Sequence, residues 1–209
     1  KNNLHVVNYS QNINKKLSLK DFNKNLYSLE DKPNFIPYVT SYYKKNWGFC
    51  ITHKDRKKLK NGTYNCIIKS KHINGFLTNG YANLKGNFKK INLLSTYLCH
   101  PSMANNELSG PLVLVGLYKK IKNWRNRNYS YSFLVNPETI GSLCFLKTFH
   151  KKLKKYLNSG LVLTCLGGPK KKLSYKLSKN NNSSLDKLFK YLAYKKKECL
   201  IRPFDATTG

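Results

Sequence analysis

From residue 91 onward, short apolar runs alternate with segments of helical period, and few folds accommodate that rhythm. The run Ile91 to Leu98 reads as a buried strand that ends at Cys99-His100. Pro111 to Tyr118 reads as an apolar helix with its proline near the first turn. Tyr129 to Val135 predicts a strand broken by Asn136-Pro137, and Leu143, Leu146, Phe149 and Leu153 then fall on one helical face. Leu161 to Leu166 predicts a further strand, closed by Gly167-Gly168-Pro169. Ser184-Leu185 opens a helix with Leu188, Leu192 and Ala193 inward, and Cys199 to Ile201 reads as a last strand. Strands alternating with helices predict an α/β fold, a sheet flanked by helices.

The chain before residue 91 has a different period. Tyr64 to Ile68, Phe76 to Thr78 and Tyr81 to Leu84 are strand-like, separated by the turn signals Asn61-Gly62, Asn74-Gly75 and Gly86-Asn87. They predict a small antiparallel β domain over 36–90. Residues 1–35 hold an extended piece at Leu4 to Val7 and a short helix capped by Ser18, with Leu19, Phe22 and Leu26 on its apolar side. The expected division is therefore 1–35, 36–90 and 91–209.

The formal charge of +30 raises nucleic-acid binding as a possibility. Of 39 basic residues, however, only Arg56, Arg125, Arg127 and Arg202 are arginine, the side chain whose planar fork suits base and phosphate contacts. The lysines are scattered, which predicts a solvated surface and no specific nucleic-acid partner. The six cysteines stand apart with no C-x-x-C pair, several inside apolar runs. This predicts buried free thiols and a cytoplasmic location. No apolar run approaches the roughly 18 residues that span a bilayer. The start at Lys1, without an initiator Met, and the stop at Gly209 lead us to expect a fragment cut at both ends.

In open α/β sheets, ligands bind beyond the carboxyl ends of the strands. Two polar clusters fall at such ends, His100 to Gly110 and Pro137 to Ser142. A chain with nine carboxylates places Glu107 and Glu138 there, beside a histidine. Each residue also suits a plainer role. His100 reads equally as a hydrogen-bonded strand-end histidine, and Glu107 and Glu138 as first-turn helix carboxylates.

Several stretches together closely resemble a bacterial family of aminopeptidase-like proteins, often encoded beside polysaccharide-biosynthesis genes. They are Asn8-Tyr9-Ser10, Ile36 to Tyr43, Trp47 to Cys50, Cys99 to Gly110, Pro137 to Ser142 and Ser174-Tyr175-Lys176. The resemblance implies a zinc-aminopeptidase-like mixed sheet flanked by helices, interrupted by a small inserted antiparallel β domain. It implies that His100 is a zinc ligand and Glu138 the general base. The family's bridging aspartate corresponds to Asn106, with Glu107 as a neighbouring substitute, and a second ligand carboxylate corresponds to Thr139. Two replaced carboxylates imply one zinc ion, and the remaining aspartate and histidine ligands are expected beyond Gly209.

The function implied is zinc-assisted hydrolysis of an amide bond at the amino end of a peptide or amino-acid conjugate. A rival from another class is an inactive relative that binds a ligand or protein in a surface-polysaccharide pathway, motivated by Asn106 and Thr139.

Overall fold

The computed structural model describes residues 5–41, 43–100, 103–168, 172–197 and 199–205. The chain divides into two compact units, 1–76 and 77–209.

In the first unit, β1 (Ile13–Ser18) pairs antiparallel with β4 (Thr63–Ile68), Ile13 opposite Ile68 and Ser18 opposite Thr63. β2 (Leu26–Tyr27) pairs with β3 (Phe49–Cys50) in parallel. Alternation in β1 and β4 sends Ile13, Cys66 and Ile68 to one face, where Phe22, Trp47, Phe49 and Tyr64 pack on them. Two short helices are capped by hydroxyls: Ser18 accepts from the Asp21 N–H before α1 (Leu19–Phe22), and Thr52 accepts from the Asp55 N–H before α2 (His53–Lys57). The helix expected after Ser18 is present but short, and Leu26, expected on its apolar side, lies in β2. Trp47 and Phe49 pack in this layer and Tyr43 is exposed, while Tyr42 lies outside the described residues.

These pairings move the expected boundaries. The β1–β4 ladder joins residues on both sides of position 35, because a lone β4 would leave its apolar face unpaired. The expected strand at Phe76 to Thr78 is absent. β5 (Gly80–Leu84), expected in the small domain, instead pairs with the large sheet of the second unit.

That sheet has the order β5-β7-β6-β8, with β6 (Ile91–Tyr97), β7 (Ser130–Asn136) and β8 (Leu157–Val162) mutually parallel and β5 antiparallel at one edge. α3 (Ala104–Lys122) covers one face, where Leu114 and Ile121 meet Phe133 and Leu163. α4 (Ile140–Tyr156) covers the other, where Phe145 and Leu153 meet Leu134. Phe133 and Leu134 are successive residues of β7, so the pleat alone sends them to opposite layers. β9 (Leu173–Lys176) and β10 (Cys199–Arg202) form a parallel pair joined through α5 (Ser184–Lys196).

Three local expectations shift. α3 begins at Ala104, seven positions before the proline expected near its start, and Pro111 lies inside the helix. Asn105, Asn106, Ser109 and Gly110 are weak helix formers, so local propensity hides a turn that tertiary contact stabilises. The buried positions of α4 are Gly141, Phe145 and Leu153, with Leu143 62% and Leu146 48% exposed. The inward spacing is four, which close packing of Gly141 on the strand end selects. β8 starts at Leu157, ahead of the expected Leu161.

α3 sits close to the sheet at Gly110, where an added Cβ would collide with Thr96 Oγ1 and the Leu163 carbonyl. Its far side carries Leu108, Leu112 and Val115 in solvent, Leu112 being 69% exposed.

The β9–α5–β10 segment is organised by Asp186, which is fully buried. Its carboxylate accepts from Tyr175 Oη at 3.0 Å, Ser178 N at 2.9 Å, Ser178 Oγ at 2.5 Å and Ser183 N at 2.7 Å, and Ser183 completes a capping box. Desolvation would raise this carboxyl, but the hydrogen bonds from Ser178 and Ser183 outweigh it and hold it far below the usual range. A depressed folded-state pKa stabilises fully above the unfolded value of about 3.9 and is lost as pH falls through the folded value. Acid titration followed by hydrogen exchange in α5 should therefore show protection weakening below that pH in the native chain. Asp186→Asn should lack this transition and be less protected at pH 7. An unchanged acid profile in the variant would refute the assignment.

Candidate active site

Parallel pairing of β6 with β7 runs from Ile91 opposite Ser130 to Tyr97 opposite Asn136. The two chains therefore leave the sheet side by side, Cys99-His100 beyond one strand and Pro137-Glu138 beyond its neighbour. The Leu98 N–H continues the ladder to the Asn136 carbonyl at 3.1 Å.

The first turn of α3 brings Glu107 to the same place. Glu107 is 4% exposed, and an unpaired carboxylate so placed would cost several kcal/mol. Both its oxygens are satisfied: Oε2 accepts from the Cys99 N–H, and Oε1 lies 2.6 Å from His100 Nδ1. The helix N-terminus favours the same charge. On the other side of the ring, His100 Nε2 is 3.4 Å from Glu138 Oε2. His100 is thus held between two carboxylates, one buried and one half-exposed.

Glu138 is presented by an unusual turn. Thr139 has φ 56° and ψ −70°, and the Ile140 N–H reaches the Glu138 carbonyl at 2.6 Å. This is a γ-turn of the positive-φ type, a strained conformation for a β-branched residue. Asn136, buried, fixes the turn by donating to the Pro137 carbonyl at 2.7 Å and Ser142 Oγ at 2.9 Å. Gly141 permits the contact, since a Cβ there would stand 2.7 Å from Pro137 Cδ.

Asn106 faces a second polar group. Its Nδ2 donates to Tyr97 Oη at 2.9 Å, and Tyr97 Oη lies 2.6 Å from Thr164 Oγ1. Burial pushes the Tyr97 hydroxyl up. The Asn106 Oδ1 is buried with no hydrogen-bond partner among the described residues. Such an acceptor costs about 1–3 kcal/mol unless a donor or cation meets it.

Of the residues singled out in the sequence, His100, Glu107 and Glu138 come together, while Asn106 contacts Tyr97 one step along α3. Thr139 is exposed at the apex of its turn. Pro101 and Ser102 lie outside the described residues. Cys99 was not anticipated as part of the site. Its sulfur accepts from the Glu138 N–H at 3.2 Å and lies 3.6 Å from His100 Nδ1. Loss of hydration pushes this thiol up, and the Glu107 and Glu138 charges act in the same direction. The signal available was its place directly before His100 at a strand end. Cys50 and Cys66 are buried as expected, but Cys99, Cys144 and Cys165 are exposed. Cys99 and Cys165 stand just past β6 and β8, where the chain leaves the apolar layer.

A mixed sheet between helices, with histidine and carboxylate at adjacent parallel strand ends, is an α/β fold of the kind seen in solved peptidase structures. Its backbone superposes on a crystal structure of a Clostridium acetobutylicum protein assigned as a peptidase. The TM-score is 0.90 at 36% identity, over 98% of this chain and 48% of that one. An M28 peptidase precursor from Shewanella amazonensis shares the fold alone, with TM-score 0.54 and 13% identity over 84% of this chain and 44% of that one. The chain belongs to the family described as a domain of unknown function (DUF4910), matched over residues 22–208. A relative from C. acetobutylicum, assigned to polysaccharide biosynthesis with an aminopeptidase-like domain, is 39% identical over 90% of this chain and 42% of its own length. The chain thus spans less than half the length of these relatives. Among the described residues no helix is long and apolar enough to cross a membrane.

The strain at Thr139 has a measurable consequence. Thr139→Gly should leave chemical-denaturation stability unchanged or raise it by about 1 kcal/mol, because glycine tolerates positive φ. A loss of more than about 1 kcal/mol would mean that the threonine side chain contributes more than the turn costs.

Proposed function

We propose that the chain carries the His100- and Glu138-bearing part of a zinc-dependent, aminopeptidase-like hydrolase. The bond cleaved is an amide at the amino end of a peptide or amino-acid conjugate. The observation that supports this best is the His100 ring held between Glu107 and Glu138 at the ends of β6 and β7. The His100 imidazole and the carboxylates of Glu107 and Glu138 beside it are donors of the N/O kind that zinc accepts.

In this reading His100 holds the ion, and Asn106 and Glu107 are the candidate oxygen donors nearest to it in sequence. Zinc, when bound, acidifies a water and polarises the scissile carbonyl. The half-exposed carboxylate of Glu138 takes the proton of the attacking water and passes it to the leaving amine. The fixed γ-turn keeps that carboxylate beside His100. With Asn106 and Thr139 at positions where the family resemblance implies carboxylates, the negative charge suffices for one ion, not two. The free thiols suit a cytoplasmic setting, and no specific nucleic acid or membrane partner is invoked.

The same two substitutions, Asn106 and Thr139, favour a second reading, an inactive relative serving as a binding protein in a surface-polysaccharide pathway. The C. acetobutylicum relative's assignment supports the pathway.

Metal analysis and an aminopeptidase assay on the purified full-length protein separate the readings. We expect about one zinc per chain. Glu138→Gln should retain it and lose about 10²–10⁴-fold in turnover, the usual worth of a positioned base. His100→Ala should lose metal and activity together. Two tightly bound zinc ions, or zinc loss in Glu138→Gln, would refute these roles. Zinc retention with no turnover of any peptide or aminoacyl substrate would favour the binding protein.

A further inference from the structure

The first unit holds a strand with an open edge. Among the described residues β1 pairs with β4 alone. Just past the end of that ladder the Leu19 N–H donates to the Gly62 carbonyl. Residues of an antiparallel pair alternate in their hydrogen bonding. Ile13, Lys15 and Leu17 therefore turn their main-chain groups to β4, and Asn14 and Lys16 turn theirs outward. Upstream, the Gln11 N–H donates to the Asn46 carbonyl at 2.8 Å and closes the edge before β1 begins.

A cleft of about 500 Å³ is lined by Gln11 through Lys15 together with Trp47, Ser70 and His72. Successive side chains of a strand point to opposite faces, so a cavity on one face would meet alternate residues. One that meets Gln11, Asn12, Ile13, Asn14 and Lys15 in succession lies beside the strand, where main-chain groups can be reached. At about 3.3 Å per residue this edge is about 16 Å long, room for four or five residues of a second extended chain.

The walls suit such a chain. Trp47, packed on Ile13 and edge-on to Phe49, supplies an apolar wall, and the Asn12 and Asn14 amides can both donate and accept. Lys15 and His72 line the cleft, Lys16 follows directly, and no carboxylate is found among the described lining residues. Charge complementarity therefore favours an acidic partner. The same lysines disfavour a second copy of this chain, because pairing β1 with itself would bring like charges together.

We propose that the open edge of β1 binds an extended, acidic peptide segment as an added strand. Main-chain hydrogen bonds to Asn14 and Lys16 hold the segment, and Lys15 selects its carboxylate side chains. Such a site serves a hydrolase and a binding protein equally, so it stands apart from the zinc reading.

Residue-resolved hydrogen exchange on the purified full-length protein tests this at about 0.15 M salt, where non-specific attraction is screened. The probe is an N-acetylated, C-amidated hexapeptide of alternating valine and glutamate, whose blocked ends separate binding from turnover. The Asn14 and Lys16 amides should exchange fast in the free protein and at least about tenfold more slowly at peptide saturation. Asn14→Pro removes an outward N–H and spares the ladder to β4, since proline is tolerated on the free side of an edge strand. It should bind the peptide about tenfold more weakly, the usual worth of one or two main-chain hydrogen bonds. Lys15→Glu leaves the main chain intact and should weaken binding about fivefold. A counterpart peptide with lysine in place of glutamate should bind more weakly than the probe.

No binding by the folded native protein, or binding that leaves Asn14 and Lys16 exchange unchanged, would overturn the proposal. So would undiminished affinity in Lys15→Glu or in a folded Asn14→Pro, or equal binding of the lysine peptide. Slowing of the same amides by an acidic oligosaccharide (oligogalacturonate) and not by the peptide would assign the cleft to a saccharide instead.

Discussion

The parallel pairing of β6 with β7 is the constraint on which the site depends. Its register, with Tyr97 opposite Asn136, decides that two polar segments far apart in sequence leave the sheet as neighbours. The pairing is supported from both faces. Phe133 is covered by α3 and Leu134 by α4, so neither strand can slip by one residue without exchanging its two apolar layers. The closeness of α3 at Gly110 then carries Glu107 to the strand end. Removing either member of the buried Glu107–His100 pair would leave a charge or donor unmatched, a change that typically costs about 3–5 kcal/mol.

Much of this was legible in the sequence, for physical reasons that can be named. β6 and β7 were visible because buried parallel strands read as continuous apolar runs. The placement of His100 and Glu138 followed from where those runs end. The start of α3 was not visible, since Asn105-Asn106 and Ser109-Gly110 have low helix propensity and only the contact with Thr96 and Leu163 favours helix there. Half of the inward face of α4 was misread, because Leu143 and Leu146 are apolar yet point to solvent while Gly141 and Phe145 turn inward. The β1–β4 ladder links residues about 50 apart, and no local signal reports such a pairing.

Roles within the site were the least legible part. Glu107 read as a ligand by sequence order, and the structure places it buried beside the imidazole, in contact with the Cys99 N–H and His100 Nδ1. Cys99 looked like an apolar filler, because Leu98 precedes it and the strand seemed to continue. The chain in fact leaves the sheet at Tyr97, which turns the next two side chains toward polar surroundings. A one-residue difference in where a strand stops thus separates a packing thiol from one beside a histidine.

The outer side of α3 has a consequence for the molecule in solution. Leu108, Leu112 and Val115 form an oily strip on a molecule with formal charge +30. At about 0.01 M ionic strength that charge repels other copies over about 30 Å, and the strips do not meet. Near 0.15 M the repulsion reaches only about 8 Å, and like charge no longer keeps the strips of two copies apart. The colloidal behaviour of this chain is therefore set by salt, in the direction opposite to that of a protein held together by surface ion pairs.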